Sequence, residues 1–284
     1  MQSDSRCFFC FAQAFAKLLD ASQLSRTQKL QFTEHMCRLY IEGAENFSAP
    51  SFSKKLHELL TNYTGIKDAY AQVKRESNQN MLALYPTYKA RVLQSDVPFD
   101  RALRLALAGN FIDFAVHHST NIDSVLDRAQ NQPLAIDHSQ ALKADLKKAK
   151  HVLYLGDNCG EIVLDRIFIE TIMHPNLTFV VRGAPVINDA TLEDAQMTGL
   201  DHVADVIDNG DNAPSTLLAH CSETFKHHFE QADVILSKGQ GNLEGLLGKT
   251  NKNIYFLLMV KCPVMSELLH VPVGSFVVFN EHKK

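Results

Sequence analysis

The amino-acid sequence predicts an α/β protein in which a helical N-terminal part precedes a mostly parallel β-sheet covered on both faces. From residue 7 to about residue 130, apolar side chains recur at intervals of three and four, the period of amphipathic helices. Beyond residue 150 the pattern changes to short, continuous apolar runs of strand length, separated by segments long enough for helices. Runs rich in β-branched residues, without polar alternation, belong to strands buried on both faces. Strands alternating with helices build a parallel sheet through right-handed crossovers.

The helical part is read from Phe11, Phe15, Leu18 and Leu19, then from Leu30, Met36, Leu39 and Tyr40. Breaks are expected at "GAENFSAPS", "NYTGIKD", "LYPTY" and "SDVPFD", where Gly, Pro and small polar residues gather. Ser95 or Asp100 is placed to cap the helix around "VPFD", whose apolar face includes Leu103, Leu107 and Phe111. Six strand-like runs follow: "HVLYLG" from 151, "LTFVVRG" from 177, "HVADVID" from 202, "DVILSKG" from 233, "NIYFLLMV" from 253 and "SFVVFN" from 275. The segment between the last two is too short for a long helix, so the sixth run is expected to be antiparallel or at an edge. The expected division is residues 1–95 for a helical bundle and 96–284 for the sheet domain.

Composition excludes some function classes. A net charge of -4 and a pI near 6.3 give no global attraction to nucleic acid or anionic membranes. The first apolar segment is interrupted by Gln13 and Lys17 and lacks a cleavage site of small residues, so it does not read as a signal peptide. No window approaches the run of about 18 apolar residues that a spanning helix needs. Six cysteines in a chain of 284 residues are not needed as staples, which points to a reducing cytoplasm. Cys7 and Cys10 form a C-x-x-C, suited to a metal or a redox pair, but no second such motif completes a four-sulfur zinc site. Two small buried hydrophobes on one helix side explain the same spacing. His117–His118 and His227–His228 fall in expected helices and lack metal spacing.

The candidate site begins at "VLYLGDNCGEIVLDRIFIETI", where an apolar run stops at Gly156, Asp157 and Asn158. In open parallel sheets ligands sit beyond the carboxyl ends of the strands. The loops "RGAPVINDAT", "DNGDNAPST" and "SKGQGNLEG" are expected at the same edge. Asp157, Asn158 and Asp189 form an oxygen-only donor set, which favours Mg²⁺ or Mn²⁺. Lys238, flanked by Gly239 and Gly241, suits a phosphate, and Arg182 and Gly183 offer a further donor cluster. Taken singly, Asp157–Asn158 also reads as a turn or helix cap, Asn188–Asp189 as the cap of a helix containing Leu192 and Ala195, and Lys238 as a solvated loop residue. The convergence of four loops after four successive strands favours a site.

The motifs "GDNCGEIVLD", "RGAPVINDAT", "SKGQGNLEGL", "VKCPV" and "ALAGNFIDFA" resemble the metal-dependent damage-control phosphatases, an ARMT-like family once labelled a domain of unknown function. The C-x-x-C resembles the archaeal and bacterial subfamily. The resemblance runs from residue 7 to about residue 280 and implies a helical region joined to a three-layer, Rossmann-like α/β/α domain. It implies Asp157, Asn158 and Asp189 as metal ligands and catalytic groups. Lys238 would then be a catalytic phosphate ligand helped by the backbone at Gly239 and Gly241, with Asn110, Asp113 and Glu161 lining the pocket. The implied activity is hydrolysis of small phosphate monoesters, sugar phosphates or damaged phosphometabolites, promoted by Mg²⁺, Mn²⁺, Co²⁺ or Ni²⁺. Two alternatives stand beside it: an S-adenosylmethionine-dependent protein carboxyl methyltransferase and a non-catalytic binding protein. The expected partner is a small phosphorylated metabolite, not nucleic acid or membrane. A helix of the bundle, in the segment "YPTYKARVL", is a candidate lid.

Overall fold

The computed structural model describes residues 4–43, 48–116, 126–127 and 130–283, with the side chains of residues 110–116 outside the description. Three helices come first: α1 (Ser5–Ala21), α2 (Arg26–Gly43) and α3 (Ala49–Thr64). They close on their own core of Phe15, Phe32, Phe52 and Leu56, in the helical periodicity read from the sequence. The chain turns after α3 at Gly65, whose left-handed φ of 70° ends the helix where "NYTGIKD" predicts a break.

Helix α4 (Ala71–Leu93) departs from expectation by running through "LYPTY" with Pro86 inside it. A proline inside a helix costs about 3 kcal/mol, but here packing on both sides of the exposed Pro86 holds the helix together. Tyr88 is buried in the main core, and the Tyr85 hydroxyl donates to Glu170 at 2.7 Å. Helix α5 (Pro98–Val116) starts with Asp100 in its first turn, and Ser95 accepts from the Val97 amide at 3.2 Å, so neither side chain caps the helix as expected.

Among the described residues, the sheet has seven strands in the order β1-β7-β6-β5-β2-β3-β4. They are β1 (Leu134–Asp137), β2 (Val152–Leu155), β3 (Leu177–Val181), β4 (Asp205–Asp208), β5 (Val234–Lys238), β6 (Ile254–Met259) and β7 (Phe276–Phe279). Strands β2 to β6 are mutually parallel, while β7 runs antiparallel to β6. The sixth expected run is therefore antiparallel but not an edge, because β1, a strand the sequence reading missed, pairs parallel to it on the outside.

Strand side chains alternate between two cores. Val152 and Tyr154 point to one face, and Leu153 and Leu155 to the other. On the first face lie α4, α5, α6 (Ser139–Leu146), α7 (Glu161–Ile172) and the short α8 (Leu192–Met197). On the second lie α9 (Glu223–Gln231), α10 (Gly239–Leu246) and α11 (Pro263–Leu269). The result is a three-layer α/β/α sheet domain preceded by helices. Among the described residues, no helix is long and apolar enough to cross a membrane.

Candidate functional site

The strand order fixes where a site can form. From the central β2 the chain adds β3 and β4 on one side, then returns to β5 and builds outward on the other. The chain therefore leaves β2 and β5 in opposite directions, and their carboxyl edge is the topological switch point at which open α/β sheets form a ligand crevice. The β2 loop carries Asp157 and Asn158, while Lys238 ends β5 and Gly239 begins α10 directly after it.

The backbone sets these loops against the loop after β3. Asn158 and Asp189 form an isolated antiparallel bridge. The Ala190 amide donates to the Asp157 carbonyl at 2.8 Å, and the Cys159 amide to the Asn188 carbonyl at 2.9 Å. Neither Asp157–Asn158 nor Asn188–Asp189 is a helix cap. Gly160 occupies the N-cap of α7, and Thr191 caps α8 in a reciprocal capping box with Asp194. Gly239 lies so close to Asp157, at a φ of 78°, that a Cβ on it would stand 2.0 Å from the Asp157 Oδ2. Only glycine permits that approach.

The side chains at the crevice are charged and withdrawn from water. Asp157, Asn158, Glu161, Arg182, Asp189 and Lys238 are each at most 9% exposed. Arg182 donates from Nε to Asp189 Oδ2 at 2.6 Å and from Nη1 to Asn242 Oδ1 at 3.1 Å. Its Nη2 lies 3.7 Å from Asp157 Oδ1 and has no hydrogen-bond partner among the described residues. Asn158 donates from Nδ2 to Asp157 Oδ2 at 2.9 Å and to Glu161 Oε2 at 3.1 Å. Burial, then the neighbouring Asp189 and Glu161, hold the Asp157 carboxyl well above the usual carboxylate range, against the opposing pull of Lys261 and Arg182.

Lys238 is placed differently from the expectation of a phosphate ligand. Its ammonium, fully buried, lies 2.5 Å from Glu161 Oε1 and 2.5 Å from Asp165 Oδ1, and donates to the Ala106 carbonyl at 2.9 Å. These acceptors occupy all the donors an ammonium has. Burial alone would depress its pKa, but Asp165 and Glu161 outweigh that and hold it above the ordinary value. Gly241 likewise faces protein, since a Cβ there would meet the Pro214 carbonyl oxygen at 2.2 Å. Asn110 and Asp113 lie on α5, but their side chains are outside the described residues, as are His117 and His118.

The candidate lid segment does not reach the crevice. Tyr85 meets Glu170 near the far end of α7, whereas the earlier turn of α4, at Asn78, touches the β2 loop. The C-x-x-C lies on α1, where burial pushes both thiols up and the charge of Glu244 adds to the effect.

Sequence reasoning missed three groups. Asp165 follows Glu161 by one helical turn, and that spacing is its signal. Asn242 follows Lys238 by four residues and staples β2 to β5, donating to the Gly156 carbonyl at 3.2 Å and the Lys238 carbonyl at 2.8 Å. Lys261, just beyond β6 in "VKCPV", is near enough to draw the Asp157 pKa down.

Among the described residues, no three His, Cys, Asp or Glu side chains converge as a metal site. The crevice offers two carboxylates and one carboxamide instead, an oxygen set that suits a hard cation completing its shell with water or substrate. The charge balance fits as well: among the buried groups Asp157, Glu161, Asp165 and Asp189 stand against Arg182 and Lys238, with the exposed Lys261 as a third cation nearby. The negative excess left when all are ionised is what a bound cation neutralises.

Comparison with known proteins extends over nearly the whole chain. The profile of the damage-control phosphatase ARMT1-like domain matches residues 3–277. The chain is 37% identical over 237 residues to the uncharacterized protein MJ0202 of Methanocaldococcus jannaschii, covering 79% of this chain and 77% of that protein. It is 32% identical to the damage-control phosphatase PH1575 of Pyrococcus horikoshii, over the full length of both. It is 33% identical to a damage-control phosphatase of Archaeoglobus fulgidus, over 82% of this chain and 84% of that protein. The crystal structure of a DUF89 family protein from Pyrococcus horikoshii superposes with a TM-score of 0.90 at 28% identity, covering 99% of each chain.

Proposed function

The chain belongs to the damage-control phosphatase family of the ARMT1-like domain, and from that premise we propose that it is a divalent-metal-dependent phosphatase acting on small phosphate monoesters. The substrate class of this reading is sugar phosphates or damaged phosphometabolites. Asp157, Asn158 and Asp189 hold the cation, Mg²⁺ or Mn²⁺ by donor chemistry. The observation that carries the reading is the excess of buried carboxylates over buried cations around Asp157.

A divalent cation held by Asp157, Asn158 and Asp189 would supply Lewis-acid chemistry toward a phosphate ester and water. The remaining work falls to the chain. Arg182 fixes Asp189 through Nε and aims the buried Nη2 along the Asp157 side of the crevice, where it meets a phosphate oxygen. The first amides of α10, beginning at Gly239 beside Asp157, add donors to an anion. Lys238 acts from behind: it orients Glu161 through their 2.5 Å ion pair, and Glu161 in turn holds the carboxamide of Asn158. In this reading Lys238 is a positioning residue.

The test is phosphate release from a panel of sugar phosphates, nucleotides and phosphorylated cofactors, with Mg²⁺, Mn²⁺, Co²⁺, Ni²⁺ or a chelator. Cation-dependent release from some of these esters is expected. No release from any of them, with calorimetric binding of S-adenosylmethionine instead, would favour the methyltransferase reading.

A further inference from the structure

We propose that Asn78, on α4, is a positioning residue for the cation site, tying the two loops that carry its ligands to the helical part of the molecule. The inference rests on the metal reading above. Asn78 is fully buried in the middle of a helix, a place where its carboxamide is costly unless satisfied and where its helix propensity is poor. Both ends of the carboxamide are used. Oδ1 accepts from the Gly160 amide at 2.6 Å, and Nδ2 donates to Asp194 Oδ1 at 3.0 Å.

Those two partners belong to different loops. Gly160 is the N-cap of α7, between Asn158 and Glu161, and as a glycine it has no side chain with which to cap the helix itself. The α4 backbone presses against it, since a Cβ on Gly160 would stand 3.3 Å from the Ser77 carbonyl oxygen. Asp194 belongs to the capping box that closes the loop carrying Asp189: its Oδ2 accepts from the Thr191 amide at 2.9 Å and the Thr191 hydroxyl at 2.8 Å. The same oxygen meets Lys74 Nζ at 3.0 Å, one turn before Asn78 on α4.

Among the described residues, the two loops join directly at the short ladder around Asn158 and Asp189, beside which the Cys159 thiol reaches the Asp189 carbonyl at 3.9 Å. Asn78 bridges them a second time, from outside that ladder. Two attachments fix the distance between the ligand-bearing segments, where a single bridge permits rocking. Loss of the clamp therefore falls on cation affinity before it falls on chemistry at saturating cation.

The experiment measures Mn²⁺ binding by calorimetry on the full chain, with amide hydrogen exchange in residues 157–161 without metal, thermal unfolding, and kcat at saturating Mn²⁺. Asn78→Ala is expected to weaken Mn²⁺ binding by about tenfold or more, the usual consequence of removing a group that orients metal ligands. It should also raise exchange in the β2 loop, with kcat at saturating Mn²⁺ within about threefold of wild type. Asn78→Asp is expected to do worse, because it sets a carboxylate against Asp194. The exchanged pair Asn78→Asp with Asp194→Asn restores a donor facing an acceptor and is expected to recover most of the affinity. Normal Mn²⁺ binding by Asn78→Ala, with only a lower Tm, would make Asn78 a structural brace and overturn the inference. If Asn78→Ala does not fold, failure of the folded exchanged pair to recover affinity overturns it. If the wild-type chain binds no Mn²⁺, the metal reading itself falls, and this inference with it.

Discussion

The Lys238 ammonium lies 2.5 Å from Oδ1 of Asp165, with both side chains sealed from solvent. The Tyr154 hydroxyl donates to the same carboxylate oxygen at 2.8 Å, so the lysine is embedded in a polar cluster under the crevice. Removing one partner of such a pair leaves the other charge buried and uncompensated.

Lys238→Ala is therefore expected to lower stability by about 3–5 kcal/mol as well as abolish activity. Urea unfolding near neutral pH checks the first part. The loss should shrink as pH falls through about 7, the value to which burial raises the Asp165 carboxyl, because a protonated Asp165 no longer needs a counter-charge. A stable, inactive variant with an unchanged urea midpoint would mean that the lysine acts on substrate alone.

Gly239 offers a more local perturbation. Its Cβ position overlaps the Asp157 carboxylate, at 2.0 Å from Oδ2. Gly239→Ala must displace one or the other, and a shift of about 1 Å at a reacting centre costs on the order of 100-fold in rate. Steady-state kinetics should show that fall in kcat/KM, with weaker metal binding alongside it.

Acid sensitivity has a source away from the crevice. His57 on α3 packs against Phe15 at a centroid distance of 4.9 Å, and burial lowers its pKa from 6.5 to about 4. Between those values the unfolded chain binds more protons than the folded one, so stability from this group is full above about pH 6.5 and drains as pH falls toward 4. The expected loss at about pH 5 is roughly 1–2 kcal/mol. Thermal unfolding across this range should be flatter in His57→Leu than in wild type.

The sequence displays some of this arrangement and conceals the rest for identifiable reasons. Strands β2, β5 and β6 are apolar on both faces and therefore conspicuous, as are the Gly-Asp-Asn and Lys-Gly turns that end two of them. Strand β1 is only "LAID", with alternate residues partly exposed, and nothing in four such residues distinguishes a strand from a loop. Pro86 reads as a break because local propensity cannot register that Tyr85 and Tyr88 anchor the helix on both sides of it. Lys238 reads as an exposed anion ligand because its acceptors, Glu161, Asp165 and the Ala106 carbonyl, come from remote helices. Asn78 carries no local signal at all; its role depends entirely on which loops the fold brings to it.

The central claim is that Asp157, Asn158 and Asp189 together hold one divalent cation, and Mn²⁺ titration of the purified chain tests it most directly. The expected result is one Mn²⁺ per wild-type chain, with affinity reduced at least about 100-fold in both Asp157→Asn and Asp189→Asn. The same stoichiometry and affinity in both folded variants would contradict it.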